Sequence, residues 1–380
     1  MENKVLFTAS TYSHILNFHL PYIRWFQQQG WTVHVACGGE PASIPNTDRV
    51  IPVPFQKSMG SPDNFKAAAM LRRMIRAENY TLISTHTSLA AFFTRLAVKG
   101  MRDRPLVVNT VHGYLFDEST PTMKRKILLT AERFVAAQTD LLMTMNRWDY
   151  DLARREKLGK RVVHIPGMGV DFSRLDQAAP EAGAQLRTEL GIPQDAFVLI
   201  YPAEFSTRKS QKVLLRAMAL LSEYVVLVLP GQGALLEDCR RLAAKRGVAR
   251  RVIFPGQIRD MGPWYAMADA AVTASRSEGL PFNVMEAMHR GLPVVASRVK
   301  GHTDLIQNGV TGLLYSYGST DACATAIRHL VESVSLRQKL GRNAQEEVEQ
   351  YDIGRVIPEV TRRYSELLTR PIKDVIYSSE

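Results

Sequence analysis

The chain lacks most of the features that would give a function away at once. Its three cysteines, Cys37, Cys239 and Cys323, lie far apart among apolar neighbours, so neither a disulfide framework nor a thiolate metal site follows from their spacing. No apolar run approaches the roughly 18 residues of a membrane span. The start, Met1-Glu2-Asn3-Lys4 running straight into Val5-Leu6-Phe7, is too short and too acidic for a signal peptide and reads as a first strand. A cytoplasmic location is the simplest expectation. Short-period repeats and low-complexity tracts are absent, and no acidic cluster suggests a divalent metal.

Acidic residues are also scarce. Asp and Glu number 37 against 48 Lys and Arg, which gives a net charge of +11. Such a balance attracts anions: nucleic acid, an anionic membrane surface or phosphorylated substrates. Nucleic acid is the weakest of these, because there is no recognisable nucleic-acid module and no basic tail. The cations instead interleave with apolar residues, as in Leu71-Arg72-Arg73-Met74-Ile75-Arg76 and Met123-Lys124-Arg125-Lys126-Ile127-Leu128-Leu129. Both segments suit helices lying on an anionic bilayer, and both also suit an ordinary solvated helix face.

What is present is enough for two domains. At 380 residues with 46% hydrophobic side chains, the chain can bury two cores. Residues 4–10, 32–37, 49–54, 82–85, 106–112, 140–145 and 162–166 read as strands, with amphipathic stretches at 17–29, 62–78, 88–99 and 121–137 between them. The alternation restarts with strands at 197–203, 224–230, 252–255, 270–274 and 293–297. Strand-helix alternation argues for parallel sheets covered on both faces, with ligands beyond the carboxyl ends of the strands. Residues 166–194 have little strand pattern and read as a linker with a short helix.

The most informative stretch is Ser277-Glu278-Gly279-Leu280-Pro281-Phe282-Asn283-Val284-Met285-Glu286. Seven residues separate its two carboxylates, and Pro281 suits a first helical position. The amides that follow are helix-terminal donors for an anion. An anion flanked by two carboxylates describes a phosphorylated polyol such as a sugar nucleotide; a capping loop with two solvated glutamates is the plainer account. Arg208-Lys209 sits at the turn between strand 197–203 and a helix at 210–221, where cations oppose the helix dipole and favour a bound anion. Pro230-Gly231-Gln232-Gly233 follows the next strand, and its glycines allow close approach of a ligand or simply a tight turn. The third glycine of a dinucleotide fingerprint is missing, which counts against an NAD-dependent dehydrogenase. His112 ends a strand and is followed by Gly113, so it either reaches a cleft or is an ordinary buried histidine. Ser10, Thr11 and His14 form a short polar loop with His19 soon after, suited to lining an acceptor pocket or to capping a helix.

Together, 204–209, Gly231-x-Gly233, Phe254-Pro255-Gly256 and Ser277-Glu278-Gly279-x6-Glu286-Ala287-Met288-x2-Gly291-x-Pro293-Val294-Val295-Ala296 resemble the retaining glycosyltransferases of family four. Residues 5–37, His112-Gly113 and Ile165-Pro166-Gly167-x-Gly169-Val170-Asp171 are similar to that family too. The resemblance implies the α/β GT-B fold, two Rossmann-like doubly wound domains facing each other across a cleft. An acceptor-binding domain would span 1–170, a linker 171–194 and a nucleotide-sugar domain 195–350, with a C-terminal helix at 351–380 packing back on the first domain. Within the family the chain is most similar to bacterial enzymes that build capsular, exopolysaccharide or lipid-linked glycan units.

The resemblance also implies roles. Glu278 would contact the donor sugar and Glu286 the ribose, while the amides of Phe282 and Asn283 face the diphosphate. Lys209 would neutralise its developing charge, and His112 would stand beside the sugar, making His112, Lys209 and Glu278 the catalytic set. Arg208, Gly231, Gly233, Ile258 and Leu280 complete the donor site, and Ser10, Thr11, His14, His19 and Tyr114 would bind the acceptor. The expected donor is a UDP-sugar, UDP-N-acetylhexosamine for example, with no metal required. The expected acceptor is a polyprenyl-diphosphate-linked saccharide at the inner face of the cell membrane. A nucleotide-sugar 2-epimerase on the same fold and a non-catalytic donor-binding partner are the alternatives. One position departs from the family: Glu204 stands where an arginine is frequent, so either Arg208 replaces it or Glu204 orients Lys209.

Overall fold

The computed structural model describes residues 3–179 and 181–369. Met1 and Glu2, Pro180 of the expected linker and residues 370–380 of the expected C-terminal helix lie outside the described residues. The chain divides into two compact units, the first made of residues 1–169 with the chain from 354 onward, the second of residues 170–353.

In the first unit, seven parallel strands form one sheet in the order β3-β2-β1-β4-β5-β6-β7. They are β1 (Lys4–Ala9), β2 (Thr32–Cys37), β3 (Arg49–Pro52), β4 (Leu82–His86), β5 (Leu106–Val111), β6 (Leu141–Thr144) and β7 (Arg161–His164). The central strands are rich in Val, Ile, Leu and Phe and are buried along nearly their whole length, as parallel strands covered on both faces must be. Leu71 and Ile75 of the helix Pro62–Glu78 pack into that core at 0% and 3% exposure. Burial of this kind stabilises by roughly 1.5–3 kcal/mol per side chain. It uses up the apolar side of the 71–76 segment, whose exposed residues are the cations Arg73 and Arg76. Helix Ile353–Thr369 belongs with this unit: Tyr364 is fully buried, and its hydroxyl lies 2.7 Å from Ser84 Oγ on β4.

The helix expected at 17–29 is two helices, Tyr12–Phe18 and Leu20–Gln28, joined at His19. Pro21 marks the break: lacking an N–H and fixed in φ, it suits the first turn of a new helix better than the interior of an old one. The junction leaves the His19 side chain fully buried.

In the second unit, six parallel strands follow the order β10-β9-β8-β11-β12-β13. They are β8 (Phe197–Ile200), β9 (Val225–Val228), β10 (Val252–Ile253), β11 (Ala270–Thr273), β12 (Val294–Ser297) and β13 (Leu313–Tyr315). The short last strand escaped the sequence pattern. Helix Ala182–Glu189, from the stretch read as linker, packs so closely on this unit that a Cβ on Gly183 would fall 2.6 Å from the Ala266 backbone. In both sheets the strand order reverses beside the first strand, between β1 and β4 and between β8 and β11. Ligand crevices form at such reversals.

Candidate active site

In the second unit the loops after β8 and β11 flank the reversal. They are stitched together, Arg276 N donating to the Arg208 carbonyl at 2.8 Å. Glu278 is 7% exposed, and each carboxylate oxygen has its own cation: Lys209 Nζ at 2.6 Å from Oε1 and Arg208 Nη1 at 2.6 Å from Oε2. Burial pushes the Glu278 carboxyl up, but Lys209 and then Arg208 outweigh it and hold the group at about 2. Burying one carboxylate costs several kcal/mol, and two cations are what make its charge tolerable here. Gly301 packs directly against Glu278: at φ 81° a Cβ there would stand 2.8 Å from that of Glu278. His302, buried behind Glu278, is pushed by burial down to about 4 despite the Glu278 charge.

Glu286 lies on the helix Phe282–His289, whose preceding residue, Pro281, caps it. The cap conformation of Pro281, φ −78° and ψ 117°, moves the helix start one residue later than the proline suggested. Phe282 and Asn283 therefore occupy the first turn, whose N–H groups point out of the helix end. Tyr265, fully buried, donates its hydroxyl to Glu286 Oε2 at 2.8 Å and to the Asn283 carbonyl at 3.2 Å. Burial raises the Glu286 carboxyl, and the Tyr265 hydrogen bond with the Arg174 charge only partly opposes it. Asn283 Nδ2 donates to the Pro202 carbonyl at 3.0 Å, tying this helix to the end of β8. Neither glutamate is the solvated capping residue of the plainer account. Leu280 is buried and Ile258 half-buried in the loop after β10.

Two readings need correction. Glu204 is exposed, and its carbonyl accepts from Gln211 Nε2 at 2.8 Å. Lys209 is oriented by Glu278 instead, leaving Arg208 as the second cation. Gly231 and Gly233, at φ 142° and 149°, owe their identity to neighbouring backbone: a Cβ would stand 2.1 Å from the Ala203 carbonyl oxygen and 2.5 Å from that of Phe205. They let the loops after β8 and β9 touch.

The first unit gathers a different set at its own reversal. Ser10, just after β1, donates its N–H to Thr87 Oγ1 at 3.0 Å, and the hydroxyls pair at 2.7 Å. Thr11 caps the helix Tyr12–Phe18. Ser10, Thr11, Thr87, Lys57 and Leu115 line a cavity of about 880 Å3. Beside these, His14, His19 and His112 come together, one ring nitrogen from each lying within 4.8 Å of the others. His86 at the end of β4 joins them, its ring centroid 3.6 Å from that of His19. Tyr114 does not line the site: it is 4% exposed and stacks on Phe116 in a core with Leu142 and Leu152. The adjoining strand β5 delivers His112, and residue 114 falls on the buried side.

His86, Tyr265 and His302 were missed. His86 carried the same signal that singled out His112, a histidine closing a parallel strand. Tyr265 and His302 carried none, because their partners are remote in sequence.

The chain matches the model described as "Glycosyltransferase Family 4" over residues 22–174 and that described as "Glycosyl transferases group 1" over residues 184–347. EpsD of Bacillus subtilis (strain 168), provisionally named a glycosyltransferase, is 33% identical over 379 residues, covering 98% of this chain and 99% of that one. An Escherichia coli enzyme named UDP-Gal:alpha-D-GlcNAc-diphosphoundecaprenol alpha-1,3-galactosyltransferase is 24% identical over 70% of each chain. Among solved structures, Anabaena Alr3699/HepE in complex with UDP and glucose superposes with a TM-score of 0.80 at 21% identity, over 96% of this chain and 100% of that one. That likeness is one of fold, and it agrees with two Rossmann-like sheets. The chain belongs to glycosyltransferase family 4 and has the GT-B fold.

Proposed function

We propose that the protein is a retaining glycosyltransferase that moves a sugar from a UDP-sugar, UDP-N-acetylhexosamine for example, to a polyprenyl-diphosphate-linked saccharide during surface-glycan synthesis. The observation that carries this reading is Glu278, a buried carboxylate clamped by Lys209 and Arg208 beside the helix that bears Glu286. Two carboxylates accept hydrogen bonds from hydroxyls, and two cations with helix-terminal amides receive a diphosphate. In this reading residues 195–350 bind the donor, with Glu278 on the sugar and Glu286 on the ribose. Residues 1–170 bind the acceptor, and His112 is assigned to the reacting centre. When the leaving diphosphate gains charge, Lys209 and Arg208 turn part of their field from Glu278 to the phosphates. Preorganised charge of this kind is usually the largest contribution to catalysis, and the cations perform it without a metal on the diphosphate. The named E. coli and Anabaena proteins support a uridine nucleotide, and the former a lipid-linked acceptor.

Helix Thr122–Val135 supports a peripheral place on an anionic membrane. Met123, Ile127 and Phe134 are 71%, 62% and 54% exposed, interleaved with exposed Lys124, Arg125, Lys126 and Arg133. The reading is tested by incubating the protein with a panel of UDP- and GDP-sugars, with and without a synthetic polyprenyl-diphosphate sugar. The expected outcome is transfer only when both are present, with the anomeric configuration of the donor kept in the product. An epimer formed from donor alone, or an inverted product, would refute it.

A further inference from the structure

We propose that the first unit holds a transition-metal ion of the zinc class on three histidines: His14, His19 and His112. Their ligand nitrogens lie within 4.8 Å of one another. His14 Nε2, both nitrogens of His19 and His112 Nε2 are buried with no hydrogen-bond partner among the described residues. Leaving a buried polar atom without a partner is costly, so several in one place mark a position shaped for something else. A single ion satisfies one nitrogen on each ring. Imidazole nitrogen suits zinc, copper and nickel, whereas magnesium and calcium take oxygen.

The local fold explains the convergence. His14 stands in the helix Tyr12–Phe18, His19 at the break that ends it, and His112 just past β5. The rings are set steeply to one another, at 80° between His14 and His112 and 90° between His19 and His112. Three nitrogens bound to a tetrahedral ion at zinc distances are about 3.4 Å apart, so the cluster would tighten around an ion. Metal binding requires neutral imidazole. His86 backs the site, its Nε2 lying 3.0 Å from Ser84 Oγ. With three protein ligands the fourth position stays open for water or for an oxygen of a bound molecule, as in zinc sites that act as Lewis acids.

This inference rests on the first unit and shares only His112 with the donor reading, so metal uptake and UDP binding are measured separately. Tag-free full chain, exchanged into metal-free buffer, is titrated with cobalt(II), whose visible d–d bands report tetrahedral coordination, and then with zinc. The expected result is about one equivalent of cobalt per chain, displaced by about one of zinc. In His14→Asn/His112→Asn the affinity falls at least about 100-fold, whereas His329→Asn, an exposed histidine of the second unit, binds as before. A wild-type chain that gives no cobalt bands and takes up no zinc overturns the proposal, as does a double variant that binds like wild type. Should the double variant fail to fold, the wild-type titration decides alone. UDP binding, measured on the same samples, is unaffected by the outcome.

Discussion

The two units meet the same problem, polar groups at the reversal of a parallel sheet, in opposite ways. In the second unit, Glu278 has two cations and Glu286 has a tyrosine hydroxyl, so the buried charge is compensated by the protein itself. In the first unit, three histidines gather with nitrogens that no described residue satisfies. The contrast extends to the surface: the first unit exposes Met123, Ile127 and Phe134 along one helix, while the large apolar residues exposed on the second, such as Leu220, Val310 and Val334, belong to separate elements. A self-compensated site is preorganised for one ligand and holds its shape without it. An uncompensated one is completed by what binds.

The largest expected effect comes from breaking the compensation. Lys209→Ala should lower turnover by about 100- to 1,000-fold, with a smaller loss of nucleotide affinity, because the leaving diphosphate gains charge only on the way to the transition state. Single-turnover transfer rates set against calorimetric UDP affinity separate the two. Lost binding with unchanged turnover would mean that Lys209 holds the nucleotide equally in ground and transition states, and its assignment to the developing charge would fail.

A weaker perturbation sharpens the surface side of the contrast. Lys124→Gln/Lys126→Gln should reduce binding to phosphatidylserine vesicles by about 30-fold at low salt, at about 1 kcal/mol per cation. Arg73→Gln/Arg76→Gln on helix Pro62–Glu78 removes the same charge from a helix whose Leu71 and Ile75 are buried, and should change binding by less than about threefold, since charge alone is screened within a Debye length. Vesicle co-sedimentation measures both. Equal losses would show that net charge, rather than the mixed face of Thr122–Val135, draws the protein to lipid.

How much of this was legible in the sequence follows the same division. Both sheets could be read from apolar runs because nearly every strand carries one, the central strands being buried along almost their whole length; β13, three residues long, had no such signal. The donor glutamates were legible because loop, proline and helix lie together in one decapeptide. Their partners were only partly so. Arg208 and Lys209 announced themselves as cations at a helix start, but Tyr265 comes to Glu286 through the packing of a separate helix. Gly-x-Gly was legible as a close approach, though not what approaches, since that depends on which loops neighbour each other. The histidine cluster was visible as single residues at 14, 19 and 112, and unreadable as a cluster because a helix break at Pro21 and the order of β1, β4 and β5 create it.

The smallest effect tests whether the Glu278 compensation has the sign claimed. The carboxyl is held at about 2 in the folded chain, against about 4.3 when unfolded. A group whose folded value is depressed contributes stability that is complete above its unfolded value and is lost as pH falls toward the folded one. Replacing it by glutamine removes this titration. The stability gap between wild type and Glu278→Gln should therefore be flat from pH 7 to about 5 and then shift against wild type, by on the order of 2–3 kcal/mol by pH 2–3. His302 titrates in the same region with the opposite character: its folded value of about 4 lies below the unfolded one, so it destabilises the folded state as pH falls below about 6.5. Both proteins carry His302, but only wild type has the Glu278 charge that raises it, so below about pH 4 the His302 contribution partly offsets the shift. Urea unfolding at a series of pH values reads the gap. A gap that does not move between pH 5 and 3 would mean that the two cations do not hold the Glu278 proton off, and the contrast between a compensated and an uncompensated unit would fail.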